Sequence, residues 1–312
     1  MSLRAAALLI VAAVVASCSP SGQATATAAL PTATATPPAS PTAAVSPAAT
    51  APPAPSAPAM ATAWAPGAGA VPVSAGGLNF YVPPGIATAV AAETLPAVTS
   101  SPGSAWLIAP AHKQVSLSGY PSPKGTYLAP EIRLYPAQQY AAANGAAAAS
   151  IARLRAILAD PSAPVTNTSA PWLPYTPGEQ SMVAQAAAVG FRGGAGVRFV
   201  TQYDIFLDPV VTAPGDPISN KLLFYCFEGL TADGKTYIVA VLPLRSDILP
   251  DSPDPAAAVP AGGVAYPPLG VDISRAVYLG AVAEALDAAD PGSFHPMVAS
   301  LDALVESFSM SG

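Results

Sequence analysis

Apolar and polar residues alternate most regularly between residues 180 and 242. Within 196–206, one side carries Val197, Phe199, Thr201 and Tyr203, and the other carries Arg198, Val200, Gln202 and Asp204. A period of two is typical of a β-strand. Two further apolar runs, 222–230 and 236–242, flank a short segment that contains Asp233-Gly234. Because glycine accepts the positive φ of a tight hairpin turn, the three strands are predicted to form an antiparallel meander.

Shorter strands are predicted earlier in the chain. Residues 78–82 are aromatic and branched and end at Pro-Pro-Gly, and the runs 105–108 and 114–120 follow. The intervening residues 86–96 suggest a weak helix or an irregular segment. In 131–135, which is predicted to be a half-exposed strand, Ile132 and Leu134 alternate with Glu131, Arg133 and Tyr135.

Three segments have the spacing of apolar residues that indicates an amphipathic helix. The first, 137–158, contains a candidate break at Asn144-Gly145. The second runs from a cap at Asp272 to 289, and the third runs from 296 to 308. Their apolar stripes are Ile151, Leu154 and Leu158 in the first, Tyr278, Leu279, Val282 and Leu286 in the second, and Met297, Leu301, Leu304, Val305 and Phe308 in the third.

The order of these elements predicts the fold class. Strands are followed by a helix, by more strands and then by two helices. This order favours an α+β domain in which helices pack against an antiparallel sheet. The repeated alternation of strands and helices that is usual in two-lobed solute-binding lipoproteins is missing from the pattern.

The first eighteen residues have the layout of a secretion signal. Arg4 precedes an uncharged apolar run over 5–15, and the run is too short for a spanning helix, which needs about 20 residues. The run ends in Val15-Ala16-Ser17-Cys18, which resembles the lipobox of bacterial lipoproteins. The resemblance implies that residues 1–17 are a lipoprotein signal peptide and that Cys18 carries a diacylglyceryl thioether. The lipid bilayer would then be its partner. The alternative is an ordinary secretion signal with a chance cysteine.

Residues 18–72 are predicted to form a disordered stalk. From Ser19 to about Pro72 the chain is rich in Ala, Thr, Pro and Ser, and the first charge after Arg4 is Glu93. Such a tract lacks the large apolar side chains whose burial would offset the entropy of ordering. Pro-rich chains favour an extended helix of about 3.1 Å per residue, so the tract could reach on the order of 100 Å. The remaining residues, 73–312, are expected to form one domain.

The charge balance argues against some classes of partner, and the cysteine count argues against a disulfide. Without Arg4, 11 basic residues face 18 acidic ones, which gives a net charge of −7. No basic patch or basic helix is present in the sequence, so neither nucleic acid nor an anionic lipid headgroup is an expected partner. Lipidation of Cys18 would leave Cys226 alone, and no intramolecular disulfide could form.

Candidate catalytic groups are few. Cys226, within Phe-Tyr-Cys-Phe, is expected to be a buried core residue, and the alternative is a Cys–His pair with His112 or His295. No motif for a cofactor is present, and none is predicted. Any two of the 18 acidic residues could form the carboxylate pair of a glycoside hydrolase. Two aspartate groups are expected to be solvated loop charges, with a metal site as the alternative: Asp247, Asp251 and Asp254, and Asp204, Asp208 and Asp216.

Aromatic residues could line a surface that binds sugar or peptide, although such residues more often fill a core. The candidates are Tyr81, Trp106, Trp172, Tyr175, Tyr203 and Tyr225. Trp172 and Tyr175 lie in a Pro-rich loop and are the two that are expected to be exposed.

The stretch Gly-Val-Arg-Phe-Val-Thr-Gln-Tyr-Asp, together with the hairpin that follows it, resembles a segment of envelope lipoproteins from Chloroflexota-type bacteria. The resemblance implies a location and no particular activity. The layout is also similar to that of the photosystem II subunit PsbP, an α+β sandwich. We therefore expect an extracytoplasmic lipoprotein, anchored to the cell membrane, whose domain is a non-enzymatic binding or scaffolding module for an envelope protein, peptide or polysaccharide. The alternative is a cell-envelope hydrolase.

Overall fold

An eight-stranded antiparallel sheet forms the centre of the structure, a computed structural model that describes residues 66–102, 104–172, 178–205, 216–267 and 274–311. The strands of the described chain are β1 (Val71–Ala75), β2 (Leu78–Val82), β3 (Ala89–Leu95), β4 (His112–Ser118), β5 (Glu131–Pro136), β6 (Gly178–Gln180), β7 (Ala184–Phe191), β8 (Gly194–Ile205), β9 (Leu223–Thr231), β10 (Thr236–Pro243), β11 (Arg245–Ser246), β12 (Phe294–His295) and β13 (Ser309–Met310). The main sheet has the order β3-β4-β5-β10-β9-β8-β6, and β7 also pairs with β8.

Helices cover both faces of this sheet. On one face, α1 (Ala137–Ala143) and α2 (Gly145–Ala159) pack on side chains of β8, β9 and β10. On the other face lie α3 (Arg275–Ala288), α4 (Val298–Glu306) and the small sheet β1-β2-β13. Every residue of β9 is buried as a result. The predicted α+β class, with helices against an antiparallel sheet, is confirmed.

The predicted meander is also confirmed. Strand β8 pairs antiparallel with β9, and β9 pairs with β10, with Tyr237 opposite Leu230. Gly234 has a φ of +68° in the turn between them. The Asp233 carboxylate accepts hydrogen bonds from the Thr231 hydroxyl at 2.6 Å and from the Lys235 backbone N–H at 3.0 Å, and these bonds fix the turn.

Two of the local predictions are wrong. Residues 89–95, within a segment for which a weak helix or irregular structure is expected, form the edge strand β3, which pairs with β4 along its whole length. The expected strand at 105–108 is instead a 3₁₀ turn, Ala105–Leu107. At 89–95, pairing with β4 overrides the helix preference of the alanines, because tertiary contacts outweigh local propensity. The first strand begins at Val71, two residues before the expected start of the domain.

The helices agree better with the predictions from the apolar pattern than these two segments do. The break at Asn144 is present: the Asn144 side chain caps α2 by accepting hydrogen bonds from the backbone N–H groups of Ala146 and Ala147. Ser274, and not Asp272, is the N-cap residue of α3, and Asp272 lies outside the described residues. Met297 is 53% exposed and precedes α4, so it does not belong to the buried stripe of that helix.

Candidate functional site

Cys226 is a core residue, as its sequence context predicts. It is 2% exposed on the face that α1 and α2 cover. Its sulfur lies 3.8 Å from the Tyr203 hydroxyl. Burial raises the pKa of the Cys226 thiol far above its ordinary value. Since the thiolate is the reactive form, this cysteine is unsuited to nucleophilic catalysis.

Neither histidine can reach Cys226. Strand pairing places His112 three strands away and four residues along, about 20 Å from Cys226. His112 is buried, its Nδ1 lies 2.9 Å from the Pro110 carbonyl oxygen, and its ring stacks on Tyr135 with centroids 4.4 Å apart. Burial lowers the pKa of His112. His295 is exposed and its Nε2 lies 3.0 Å from Asp247 Oδ2.

The loop aspartates do not converge on one point. Asp247 contacts His295 and forms an ion pair with Arg245 at 3.4 Å. Asp251 accepts a hydrogen bond from the Asn220 side chain, and Asp254 accepts one from the backbone N–H of Ala256. Within the described part of the chain, no three His, Cys, Asp or Glu side chains are grouped so that they could hold a metal ion. The Asp204 side chain and Asp208 lie outside the described residues, and the Asp216 carbonyl accepts a hydrogen bond from Arg275 at 3.0 Å.

The aromatic candidates do not form one surface. Tyr203 and Tyr225 are buried on opposite faces of the sheet. Trp172 is half-buried against the core beneath α1 and α2, so its expected exposure is only partial. Tyr175 and Cys18 lie outside the described residues.

A buried polar network, which the sequence did not single out, lies between the sheet and α2. It consists of Glu228 on β9, Tyr237 on β10 and Ser150 on α2. Glu228 Oε2 accepts hydrogen bonds from the Tyr237 hydroxyl and, at 2.7 Å, from the Ser150 hydroxyl. The two hydroxyl oxygens are 2.9 Å apart. All three side chains are at most 2% exposed, so the carboxyl group is satisfied within the core and is closed to a substrate.

This network continues through aromatic contacts toward β5. Tyr135 stacks on Tyr140 of α1 with ring centroids 4.2 Å apart. The Arg133 guanidinium donates to the Tyr135 hydroxyl at 3.4 Å and forms an ion pair with Glu131 at 2.8 Å. Burial raises the pKa values of Tyr135, Tyr140 and Glu131. Clusters of shifted pKa values are typical of functional sites, but here each group has an internal partner, which favours a structural role.

An open pocket lies at the other edge of the sheet, and we call it the edge pocket. It has a volume of about 380 Å³ and is lined by Pro164, Val165, Gln185, Ala186, Arg198 and Asp287. A β-bulge in β7 shapes it: Ala184 pairs with Val200 and Ala187 pairs with Arg198, so β7 contains one extra residue at this point. The bulge turns Gln185 and Ala186 out of the regular ladder.

Arg198 lines the edge pocket, and side chains inside the domain hold it in place. Its Nε lies 3.2 Å from Asp302 Oδ1 on α4, in an ion pair that lacks hydrogen-bond geometry. The same Asp302 oxygen accepts a hydrogen bond from the Tyr225 hydroxyl at 2.8 Å. Burial raises the pKa of Asp302, and the neighbouring Arg198 charge opposes that shift. Asp302 and Tyr225 therefore fix Arg198 in place.

Sequence analysis did not identify Arg198, Glu228 or Gln185 as site residues, and the three differ in how clearly the sequence indicates them. Glu228 is a charged residue within the otherwise apolar strand β9, and Arg198 lies between the apolar residues Val197 and Phe199; a charge in such a position needs a buried partner or a ligand. Gln185 leaves no signal, because a bulge depends on how β7 meets β8.

No family model, no curated protein and no solved structure matches the chain. Among the helices of the described residues, none has the length and apolar character needed to cross a membrane.

Proposed function

We propose that the protein is a lipid-anchored, extracytoplasmic lipoprotein whose α+β domain binds a partner in the cell envelope. The observation that carries this proposal is Val15-Ala16-Ser17-Cys18 at the end of a short apolar run. A diacylglyceryl group on Cys18 would hold the chain on the bilayer. The charge-free tract 18–72 would act as a tether that lets the domain reach material away from the membrane.

Binding is favoured over catalysis because of where the reactive side chains lie. The Cys226 thiol and the Glu228 carboxyl are enclosed in the core. Asp287 and the largely buried Arg198, by contrast, line an open pocket. Charges of opposite sign around a small concavity suit recognition of a ligand, and among the described residues that line the pocket no Ser, Cys, His or Lys side chain is present.

Replacement of Cys18 tests the anchor. The Cys18→Ala protein should move from the membrane fraction to the soluble fraction after cell lysis, because it lacks the sulfur to which the lipid is attached. The matched control is Cys226→Ala, which removes the other cysteine of the chain and should stay with the membranes. If Cys18→Ala still fractionates with membranes, the anchor proposal is wrong.

A further inference from the structure

The edge pocket has features that a simple surface depression would lack. Gln185 has a φ of +52° and is, among the described residues, the only non-glycine residue with positive φ. This left-handed conformation is unfavourable for a residue with a Cβ atom and persists only where surrounding contacts impose it. Here the Gln185 side chain donates hydrogen bonds to the carbonyl oxygens of Leu286 and Asp287, and its backbone N–H donates to the Asp287 carboxylate. These hydrogen bonds hold the bulge against the C-terminal end of α3.

Arg198 places a largely buried positive charge beside this pocket. Its side chain is 13% exposed, and its buried Nη1 has no hydrogen-bond partner within the described residues. Nη1 itself is closed to solvent, so an anionic group bound in the pocket would be attracted by the positive charge of Arg198 and would contact the part of its side chain that remains exposed. A carboxylate suits this role because its two oxygens match the planar guanidinium.

The opposite charge in the pocket comes from α3. Asp287 is exposed, and one of its carboxylate oxygens is occupied by the Gln185 backbone N–H, which leaves the other available to a ligand. The adjacent carbonyl groups at the C-terminus of α3 add a partial negative charge. This end of the pocket therefore attracts a cation and repels a second anionic group.

From these features we propose that the edge pocket binds a small zwitterion of the amino-acid or dipeptide class. Arg198 would receive the carboxylate of the ligand, and Asp287 would receive its ammonium group. The small apolar side chains Pro164, Val165 and Ala186 leave room for a short side chain. The volume of about 380 Å³ lies at the lower end of the range for pockets that hold small molecules. The inference rests on the proposed binding function and specifies its site and ligand.

Calorimetric titration of the detergent-solubilised full-length protein tests this assignment. The probes are alanylalanine, as the L,L and D,D forms, its C-terminal amide and its N-acetyl derivative. We expect saturable binding of at least one dipeptide form and at least about tenfold weaker binding of both capped probes, since each cap removes one charge contact worth about 1.4 kcal/mol or more. Equal binding of the dipeptide and its amide, or no saturable binding at millimolar concentrations, would overturn the proposal.

Variants locate the binding site. Arg198→Gln removes the cation that pairs with the half-buried Asp302 carboxyl and lowers stability, so the decisive variants are Asp287→Asn and Ala186→Phe, which change exposed positions. Each should weaken dipeptide binding at least about tenfold. Arg153→Gln on the exposed side of α2 is the control and should bind normally. If Asp287→Asn and Ala186→Phe also bind normally, the edge pocket is not the site. Membrane fractionation of Cys18→Ala remains an independent measure of the anchor.

Discussion

At the scale of single residues, the contact between Glu228 and Tyr237 is expected to stabilise the domain. Both side chains are buried, and the Tyr237 hydroxyl donates to Glu228. Tyr237→Phe should lower the free energy of unfolding by about 1 to 3 kcal/mol, because a buried carboxyl group loses a donor that no water can replace. Urea unfolding followed by circular dichroism measures the change.

Tyr127→Phe is the matched control for this substitution. Tyr127 is 48% exposed, and removal of its hydroxyl should change the free energy of unfolding by no more than about 0.5 kcal/mol. A Tyr237→Phe protein as stable as the wild type would contradict a stabilising role for the network.

Sequence reasoning predicted the positions of some site residues but not their partners. The alternation of Glu131, Arg133 and Tyr135 along β5 placed all three side chains on one face, and they do interact there. The face expected to be wet is nevertheless largely buried, because α1 and the preceding loops cover it. The contact between Arg198 and Asp302 could not be predicted, since it joins β8 to a helix about a hundred residues later in the chain.

At the scale of elements, the β7–β8 hairpin depends on glycines for close packing. Gly193, with a φ of +88°, lies at the turn between β7 and β8. Gly194 and Gly196, however, belong to β8, where aromatic rings lie directly against them. A Cβ atom on Gly196 would lie 2.3 Å from the Glu228 carbonyl oxygen and 2.6 Å from the Phe227 ring.

Gly196→Ala should therefore destabilise the domain by about 1 to 3 kcal/mol, since either the backbone of β9 or the Phe227 ring must move. Gly145→Ala is the control: it lies in the first turn of α2 with no atom within 4 Å of the added carbon. That variant should be neutral or up to about 1 kcal/mol more stable. Differential scanning calorimetry of the two variants measures both effects. Equal transition temperatures for the two variants would show that the close approach in β8 is unimportant.

The elements that sequence predicted well are those with a strong pattern of their own. The meander of β8, β9 and β10 combines long apolar runs with an Asp-Gly turn, and α2 has a capping asparagine at its start. Strand β3 was missed because Ala89, Ala91 and Ala92 carry no alternation, and only pairing with β4 extends this segment. Local signals thus specify the centre of the sheet, and tertiary contacts specify its edges.

At the scale of the whole molecule, the two-sided burial of the sheet explains how the domain is stabilised. Cys226 is the only cysteine in the described part of the chain, and it is free. Burial of each large apolar side chain contributes about 1.5 to 3 kcal/mol, and helices on both faces of the sheet multiply the number of such side chains. A domain of this kind needs no disulfide, so the sulfur of Cys18 is left for the proposed lipid attachment.

The number of reactive thiols tests this division of roles between the two cysteines. In the membrane-extracted protein, a thiol reagent should label no cysteine while the domain is folded, because burial protects Cys226 and raises the pKa of its thiol. After unfolding in denaturant, one thiol per chain should react, since the proposed thioether would occupy the sulfur of Cys18. The control is protein made in the cytosol without export, which should show two thiols when unfolded. Two thiols in the unfolded membrane-extracted protein would mean that Cys18 carries no lipid, and rapid labelling of the folded protein at Cys226 would contradict its burial.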